Sequence, residues 1–284
     1  MPIARVFWTV LEPLHSVTYF SPECIDGNKD VGLKGFWMGY FGSRGAPLGP
    51  VPAGVIEAAF YGFHPARVRR AVPDAWTFAS PESILRMREA AAAKALRRVA
   101  PEIDDVAAEA VPRLRPAAEA GDAAGRALFA ANRDLLLPDD PVAALWQLAT
   151  TLREHRGDGH VAVLTSEGLN GLEANVLASA VSDVPANLLL RSRGWSQEDW
   201  DEATAVLSGR GLMDENGATE AGRALRADIE SRTDTLAAPP YQALDDPESL
   251  YRMLAPLARA VAEHGDMPFP NPIGLPRPTI QGRI

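Results

Sequence analysis

The chain has 284 residues, 46% hydrophobic and 23% charged, which is ordinary for a globular protein of one large or two modest domains. Its 28 Lys and Arg against 37 Asp and Glu give a formal charge of -9, which argues against a general affinity for nucleic acid or anionic membranes. The single cysteine, Cys24, excludes an internal disulfide, and no apolar run approaches the roughly 18 residues of a membrane span.

Residues 1–100 are predicted to form an N-terminal helical domain of helix-turn-helix character. The first residues lack a basic start followed by an apolar stretch, so we expect no signal peptide and a cytoplasmic location. A bulky segment over 35–45 ends in Arg-Gly and precedes a small-residue loop and a helix over 53–60. Four predicted helices along the chain begin with a capping side chain directly before a proline, at Ser21, Ser80, Asp140 and Asp246.

This N-terminal range also concentrates aromatic and polar side chains. His15 and Tyr19 lie four residues apart, as do Tyr40 and Arg44, so each pair shares one face of a helix. Rings with polar tips often pack in a core and hydrogen-bond the tip, which is one interpretation. The other is a small-molecule pocket, because such sites are mostly apolar with a few convergent polar groups. The ligand-binding residues would then be His15, Tyr19, Trp37, Tyr40, Phe41, Arg44 and Tyr61, with Phe20, Phe60 and Phe63 as further wall.

The one basic region of the chain runs from Arg67 to Arg98. Glu82 and Glu89 are interspersed in it, which is typical of a solvated helix face. If the protein contacts DNA, this region is the segment that we expect to do so. The following residues, 101–138, begin with an Ala-, Glu- and Pro-rich stretch, and we expect them to form a helical connector.

Residues 139–265 are predicted to form a second domain, of winged-helix type. An amphipathic helix is expected from Pro141 to Arg156, ended by the Gly-Asp-Gly sequence at 157–159. Ser196 and Thr219 begin two later helices, and Asn216-Gly217 between them supplies the tight turn of a β-hairpin. Residues 266–284 are a Pro-rich tail, either frayed or laid on the surface as an extended arm.

The two domains show signs of internal duplication. Each has a bulky helical segment ending in Arg-Gly, then a small-residue loop, then a second helix, over 53–60 in one half and 171–180 in the other. Each half later has a tryptophan in a helical context, Trp76 and Trp200. We therefore predict a mainly α fold of tandem helix-turn-helix or winged-helix-like units with one short β-hairpin wing.

The densest cluster of functional side chains lies in Arg153-Glu-His-Arg-Gly-Asp-Gly-His160. One interpretation is structural, because such side chains commonly serve helix ends and turns. The other is chemical: His155, Asp158 and His160 converge on a cavity, with a histidine as acid or base, Asp158 orienting it and Arg156 stabilising negative charge. The spacing matches no strong zinc signature, so no metal site is predicted. No phosphate-loop or dinucleotide motif is present, and the cofactor stays unknown.

A resemblance to known families rests on two sets of residues. The transition from Arg210-Gly-Leu-Met to Gly217-Ala-Thr-Glu-Ala-Gly-Arg-Ala-Leu225 resembles the wing of a winged-helix domain of the multiple-antibiotic-resistance-regulator type. The whole chain, with Gly39-Tyr40-Phe41, Arg193-Gly-Trp195 and Asn271-Pro-Ile-Gly274, resembles an actinobacterial helix-turn-helix-like family of mostly unassigned function. The regulator resemblance implies DNA binding and ligand sensing.

Charge at the would-be recognition helix departs from that regulator pattern. Glu198, Asp199, Asp201 and Glu202 lie at its start, where DNA readers use Arg, Lys, Asn or Gln. We therefore expect a small-molecule-binding protein that has lost its DNA face. Nucleic acid is not the expected partner, no membrane partner is expected, and a homodimer is compatible with the sequence. If it is an enzyme, bacterial specialised metabolism is the expected setting. The alternatives are a ligand-responsive winged-helix regulator and a partner-binding module.

Overall fold

The computed structural model describes residues 1–277, which form fifteen α-helices and one β-hairpin. The helices of the first part are α1 (Ile3–Phe20), α2 (Pro22–Asp30), α3 (Gly35–Gly45), α4 (Ala53–Ala59), α5 (Pro65–Arg69), α6 (Ala75–Phe78), α7 (Pro81–Val99) and α8 (Ile103–Ala120). Those of the second part are α9 (Ala127–Arg133), α10 (Pro141–Ser166), α11 (Gly171–Val181), α12 (Ala186–Arg193), α13 (Gln197–Gly209), α14 (Glu220–Ala237) and α15 (Pro247–His264). The predicted mainly α architecture is confirmed.

The hairpin lies where the Asn-Gly turn predicted it. Strands β1 (Met213–Asp214) and β2 (Gly217–Ala218) pair antiparallel between α13 and α14. Within residues 1–277 no helix is both long and apolar enough to cross a membrane. Residues 278–284 of the predicted tail lie outside the described residues.

Helix starts follow the local capping signals. The side chains of Ser21, Ser80, Asp140 and Asp246 accept backbone N–H groups at the first turns of α2, α7, α10 and α15. Ser196 caps α13 through a reciprocal capping box with Asp199. These predictions are confirmed. Caps are predictable from the sequence because they depend only on neighbouring residues.

The predicted end of α10 is wrong. This helix of 26 residues continues through Gly157-Asp158-Gly159 to Ser166, so His160 lies inside it rather than at the start of another helix. A glycine costs an exposed helix only about 1 kcal/mol relative to alanine, and burial of one face offsets that cost. Helix α10 has that burial, because it packs against α1, α7, α8, α9 and α14.

The main hydrophobic core crosses the predicted domain boundaries. One buried cluster joins α1, α7, α8, α10 and α15, from Ala4 to Val261. Residues 101–138, predicted as a connector, contribute α8, whose apolar side Ile103, Ala107, Ala110 and Leu114 is buried in this cluster. The segment is helical as expected, yet it is a core element rather than a spacer.

Two smaller buried clusters flank the main core, and each forms a unit of packed helices. The first unit surrounds Phe41 and Ile56 and draws on α3 to α7. The second surrounds Leu177, Leu207 and Ile229 and draws on the end of α10, on α11 to α14 and on the hairpin. We refer to them below as the N-terminal unit and the C-terminal unit.

The helix before the hairpin carries negative charge on its exposed side. Within the C-terminal unit, α12, a turn and α13 make the helix-turn-helix, and Gly194 in the turn has φ 87°, which favours glycine. Helix α13 buries Trp200, Ala203 and Leu207, whereas Glu198, Asp201 and Glu202 are exposed. The carboxylates therefore occupy the face that a DNA-reading helix would present.

Candidate functional site

A cavity of about 560 Å³ lies between the two units and the N-terminal helix. Its wall combines side chains of α1, α3, α10, α11, α12 and α14 with the loop over 59–63 and the chain over 268–274. Of the residues predicted from the sequence, those that line it are Tyr19, Trp37, Tyr40, Arg44, Tyr61, Arg156 and His160. The predicted residues that are not part of its wall are His15, Phe41, His155 and Asp158.

The phase of α10 explains why the predicted acid–base cluster does not assemble. Side chains at i, i+3 and i+4 share a helix face, and Arg153, Arg156, Gly157 and His160 accordingly line the cavity. His155 lies five residues before His160, which places it about 140° around the helix axis. The structure therefore does not bring His155 and Asp158 together with His160 at one cavity.

His155 and Asp158 instead hold α9 against α10. The imidazole of His155 packs edge-on against the ring of Phe129, with ring centroids 4.8 Å apart. The carboxylate of Asp158 accepts the backbone N–H of Phe129 at 2.9 Å, in the first turn of α9. Burial lowers the pKa of His155 to about 4 and raises the pKa of Asp158 to about 6.

The polar part of the cavity wall is dominated by guanidinium groups. Six arginines line it: Arg5, Arg44, Arg153, Arg156, Arg193 and Arg226. Among residues 1–277, the carboxylates that pair with them are Glu12, Glu154, Glu230 and Asp234. Six cations against four anions leave an excess of positive charge around this cavity, although the chain as a whole is acidic.

The ion pairs on α10 are largely buried. Arg44 reaches Glu154 through two parallel bonds, Nε to Oε1 at 2.8 Å and Nη2 to Oε2 at 2.9 Å. Arg153 binds the same carboxylate at 2.9 Å and Glu12 at 3.3 Å, and Arg156 binds Asp234 at 2.8 Å. Glu154 is only 1% exposed, and its pKa lies well below the usual range despite burial, because Arg153 and Arg44 stabilise the anion.

Arg193, at the end of α12, differs from the other five. It has no carboxylate partner within residues 1–277; its Nη2 donates instead to the neutral carbonyl of Pro272 at 2.6 Å. The guanidinium lies 4.5 Å from the ring centroid of Phe63. Burial lowers the pKa of Arg193, and the nearby charges of Arg44 and Arg153 lower it further. This is the cation of the cavity whose charge is least compensated.

Aromatic rings surround that end of the cavity. Tyr40 and Phe63 have ring centroids 5.3 Å apart, and Trp37 and Phe63 have centroids 5.8 Å apart. Phe60 packs against Tyr40 and lies under the guanidinium of Arg44, 4.2 Å from its ring centroid. The aromatic concentration seen in the sequence therefore forms one wall, next to the excess positive charge.

His15 lies behind the wall and fixes the hydroxyl of Tyr19. Its Nε2 is 2.9 Å from Tyr19 Oη, and its Nδ1 is 2.9 Å from Thr150 Oγ1. Burial lowers the pKa of His15 well below its usual value and raises the pKa of Tyr19. Both groups are therefore neutral at pH 7, and His15 supports the wall without forming part of it.

His160 is the histidine of the cavity wall itself. Its Nδ1 is 2.9 Å from Thr233 Oγ1 on α14, and burial lowers its pKa to about 4 against the opposing charge of Glu230. The imidazole is therefore neutral at pH 7. Among residues 1–277 no group of three or more His, Cys, Asp or Glu side chains is arranged to hold a metal ion.

Sequence reasoning missed several residues of the wall. Arg5 and Trp8 on α1, Arg193 on α12, and Arg226 and Glu230 on α14 stand far from the predicted clusters. Arg193 belongs to the Arg193-Gly-Trp195 motif that carried the family resemblance, which was its only signal. Spacing along one helix could not reveal the rest, because these residues meet only through tertiary packing.

Part of the basic region from Arg67 to Arg98 is neutralised by ion pairs. Arg97 pairs with Asp104 and Asp140, and Arg98 pairs with Glu23 and Asp266. Arg69 pairs with Glu57, and Arg88 is only 3% exposed and bonds to neutral oxygen acceptors. These contacts neutralise Arg69, Arg97 and Arg98. By contrast Arg70, Arg86 and Lys94 are exposed and have no carboxylate partner among residues 1–277.

Comparison with known proteins gives one match. A profile of a family described as a helix-turn-helix family matches residues 4–268, which include both units and most of the cavity wall. No curated protein and no solved structure matches the chain.

Proposed function

This chain belongs to the helix-turn-helix family, and we propose that it uses that scaffold to bind an organic anion with a planar body in the cavity between its two units. The observation that carries the proposal is Arg193, a guanidinium in the cavity wall without a carboxylate partner in the described chain. The excess of arginines over carboxylates around it supports the same conclusion.

Electrostatics give the proposal its physical basis. Removing a charge from water without a counter-ion costs several kcal/mol, and an anionic ligand would offset that cost. Arginine is suited to this role, since its planar fork binds carboxylate or phosphate oxygens in pairs. Trp37, Tyr40 and Phe63 beside Arg193 offer ring faces against which a flat ligand can pack.

If the protein is an enzyme, fewer residues are placed for catalysis than the sequence indicated. Of the predicted acid–base group, only His160 and Arg156 line the cavity. Proton transfer in the cavity would therefore involve His160, with Arg156 stabilising negative charge on the substrate. His155 and Asp158 have structural contacts that account for them.

A matched pair of probes tests the binding proposal. The probes are 2-naphthoate and 2-naphthamide, which share size and shape but differ in charge. We expect 2-naphthoate to bind more tightly to the wild-type protein in isothermal titration calorimetry. In the Arg193→Met variant this preference is expected to fall by roughly 10- to 100-fold, because a hydrogen bond to a charged group contributes about 1.5–3 kcal/mol.

Arg191→Met is the matched control, since Arg191 stands on the same helix and is exposed. The control variant is expected to bind both probes as the wild type does. Equal affinity for acid and amide, no binding of either, or an equal loss in both variants would contradict the proposal.

The alternative function is a ligand-responsive winged-helix regulator. What favours it is the helix-turn-helix scaffold of the C-terminal unit and the family to which the chain belongs. What disfavours it is the exposed acidic face of α13. A scaffold alone does not decide function, because function depends on the site.

A further inference from the structure

Two histidines of this protein are held by the same arrangement. His15 Nδ1 lies 2.9 Å from Thr150 Oγ1, and His160 Nδ1 lies 2.9 Å from Thr233 Oγ1. Each threonine oxygen is also close to a carbonyl four residues earlier in its own helix, 2.9 Å for Thr150 and 2.7 Å for Thr233.

This arrangement fixes the tautomer of both rings. A carbonyl oxygen only accepts, so the threonine hydroxyl donates its single proton there. The threonine oxygen must then accept a proton from the histidine, which places N–H at Nδ1. If the proton were on Nε2 instead, the threonine hydroxyl would have to donate to Nδ1. Its oxygen and the helix carbonyl would then face each other with no proton between them. In both histidines Nε2 therefore carries a lone pair and can accept a hydrogen bond.

The two Nε2 atoms differ in whether a side chain donates a hydrogen bond to them. His15 Nε2 is 2.9 Å from the hydroxyl of Tyr19, which donates to it. His160 Nε2 has no hydrogen-bond partner among residues 1–277, and His160 lines the cavity. His160 thus repeats the His15 arrangement, except that no residue among 1–277 takes the place of the Tyr19 hydroxyl at Nε2.

The cavity wall does not supply the missing donor. The Tyr61 hydroxyl donates to Leu169 O, Asn175 Nδ2 donates to Gly62 O, and Trp8 Nε1 donates to Glu12. The charged groups that face His160 are Arg5 and Glu230 together with Arg156 and Arg226, and they pair with one another or with Asp234.

We infer that the ligand of this cavity carries a hydroxyl group, which donates a hydrogen bond to His160 Nε2. The ligand class is then a hydroxylated organic anion. Arg193 binds its anionic group, and His160 accepts a hydrogen bond from its hydroxyl. This inference rests on the proposed function and narrows it to a chemical class.

Two anions of the same skeleton test the inference. The probes are 6-hydroxy-2-naphthoate and 2-naphthoate, which differ only in a hydroxyl remote from the carboxylate. We expect the wild-type protein to prefer the hydroxylated acid by roughly tenfold in isothermal titration calorimetry at pH 7, the effect of one hydrogen bond.

The His160→Asn variant removes the acceptor and keeps the fold. Its amide occupies the position of Nδ1 and can still bond to Thr233, but nothing replaces Nε2. The preference for the hydroxylated probe, measured as the ratio of the two affinities, is expected to vanish in this variant. His155→Asn is the control, because it is the same substitution on the same helix away from the cavity, and it should keep the preference.

The outcomes separate the two proposals. Equal binding of the two anions by the wild-type protein overturns the hydroxyl inference and leaves anion binding in place. A preference that persists in His160→Asn overturns the assignment to His160. If neither anion binds, the proposed function fails and the inference fails with it.

Discussion

Asp158 and His160 are two residues apart on α10, and burial drives both toward their neutral forms. The pKa of Asp158 rises to about 6, because burial penalises the carboxylate and Glu154 adds like charge. The pKa of His160 falls to about 4, because burial penalises the imidazolium. The acid has a structural partner in Phe129 N–H, whereas the base faces the cavity.

The raised pKa of Asp158 predicts how the stability of the folded chain changes with pH. Its pKa is higher in the folded chain than the usual 3.8, so its contribution to stability is present below pH 3.8 and is lost as pH rises through about 6. Asp158→Asn keeps an oxygen that accepts Phe129 N–H and cannot ionise. Relative to the wild type, we expect this variant to gain on the order of 2 kcal/mol in free energy of unfolding between pH 4 and pH 7.

Chemical denaturation at the two pH values measures this difference. Asp158→Ala serves as control: it lacks the acceptor and is expected to lose about 1–2 kcal/mol relative to Asp158→Asn at both values. An identical pH dependence for the wild type and Asp158→Asn would show that Asp158 ionises normally in the folded chain.

Features of the helices and the hairpin that depend on neighbouring residues were predictable from the sequence. Features that depend on tertiary packing were not. The caps at Ser21 and Asp140 and the Asn216-Gly217 hairpin depend on adjacent residues, which the sequence displays. The glycines at 157 and 159 suggest a helix end, but packing of α10 on five other helices outweighs their low helix propensity. The burial of α8 likewise depends on partners distant in sequence.

The same distinction applies to the candidate site. Tyr19, Tyr40 and Arg44 line the cavity, as the pocket interpretation of the aromatic cluster expected, although the same helical spacing also fitted core packing. His155 and Asp158 were assigned to it because α10 was expected to turn there; once the helix continues, they face α9. Arg193 reaches the cavity only through the placement of α12, which the Arg193-Gly-Trp195 motif does not reveal.

Contact between the two units depends on Gly171 at the start of α11. A Cβ on this glycine would lie 1.8 Å from the carbonyl oxygen of Tyr61. Gly171→Ala must therefore push α11 away from the Tyr61–Gly62 loop, and both segments line the cavity. We expect a loss of more than about 2 kcal/mol in free energy of unfolding and weaker binding of 2-naphthoate.

Gly159→Ala is the matched control for that prediction. Its Cβ would lie 3.5 Å from Leu236 Cβ, an ordinary contact, inside the regular helix α10. We expect a gain of roughly 0.5–1 kcal/mol, because alanine loses less backbone entropy than glycine in a helix. If both alanine variants had equal stability, the close approach at Gly171 would be refuted.

For the whole molecule, charge placement separates the two functions. The surface is acidic overall, with a formal charge of -9, and α13 adds exposed carboxylates where a reader of DNA would be basic. Positive charge is instead concentrated around the internal cavity. This distribution favours recognition of a small anion and disfavours contact with a polyanionic duplex.

Binding to a random-sequence DNA duplex over a salt series tests this distribution. We expect no binding by fluorescence anisotropy even at low salt, because the chain is acidic overall and α13 presents carboxylates that repel phosphate. Micromolar affinity that weakens steeply as salt rises would mean that phosphate contacts exist, and the regulator function would then be favoured.

The most direct test of anion binding is the crystal structure of the complex with 2-naphthoate. Our account places the naphthalene ring among Trp37, Tyr40 and Phe63 and the carboxylate within hydrogen-bond distance of the Arg193 guanidinium. A carboxylate bound elsewhere, with Arg193 still donating to Pro272 O and not to the ligand, would contradict it.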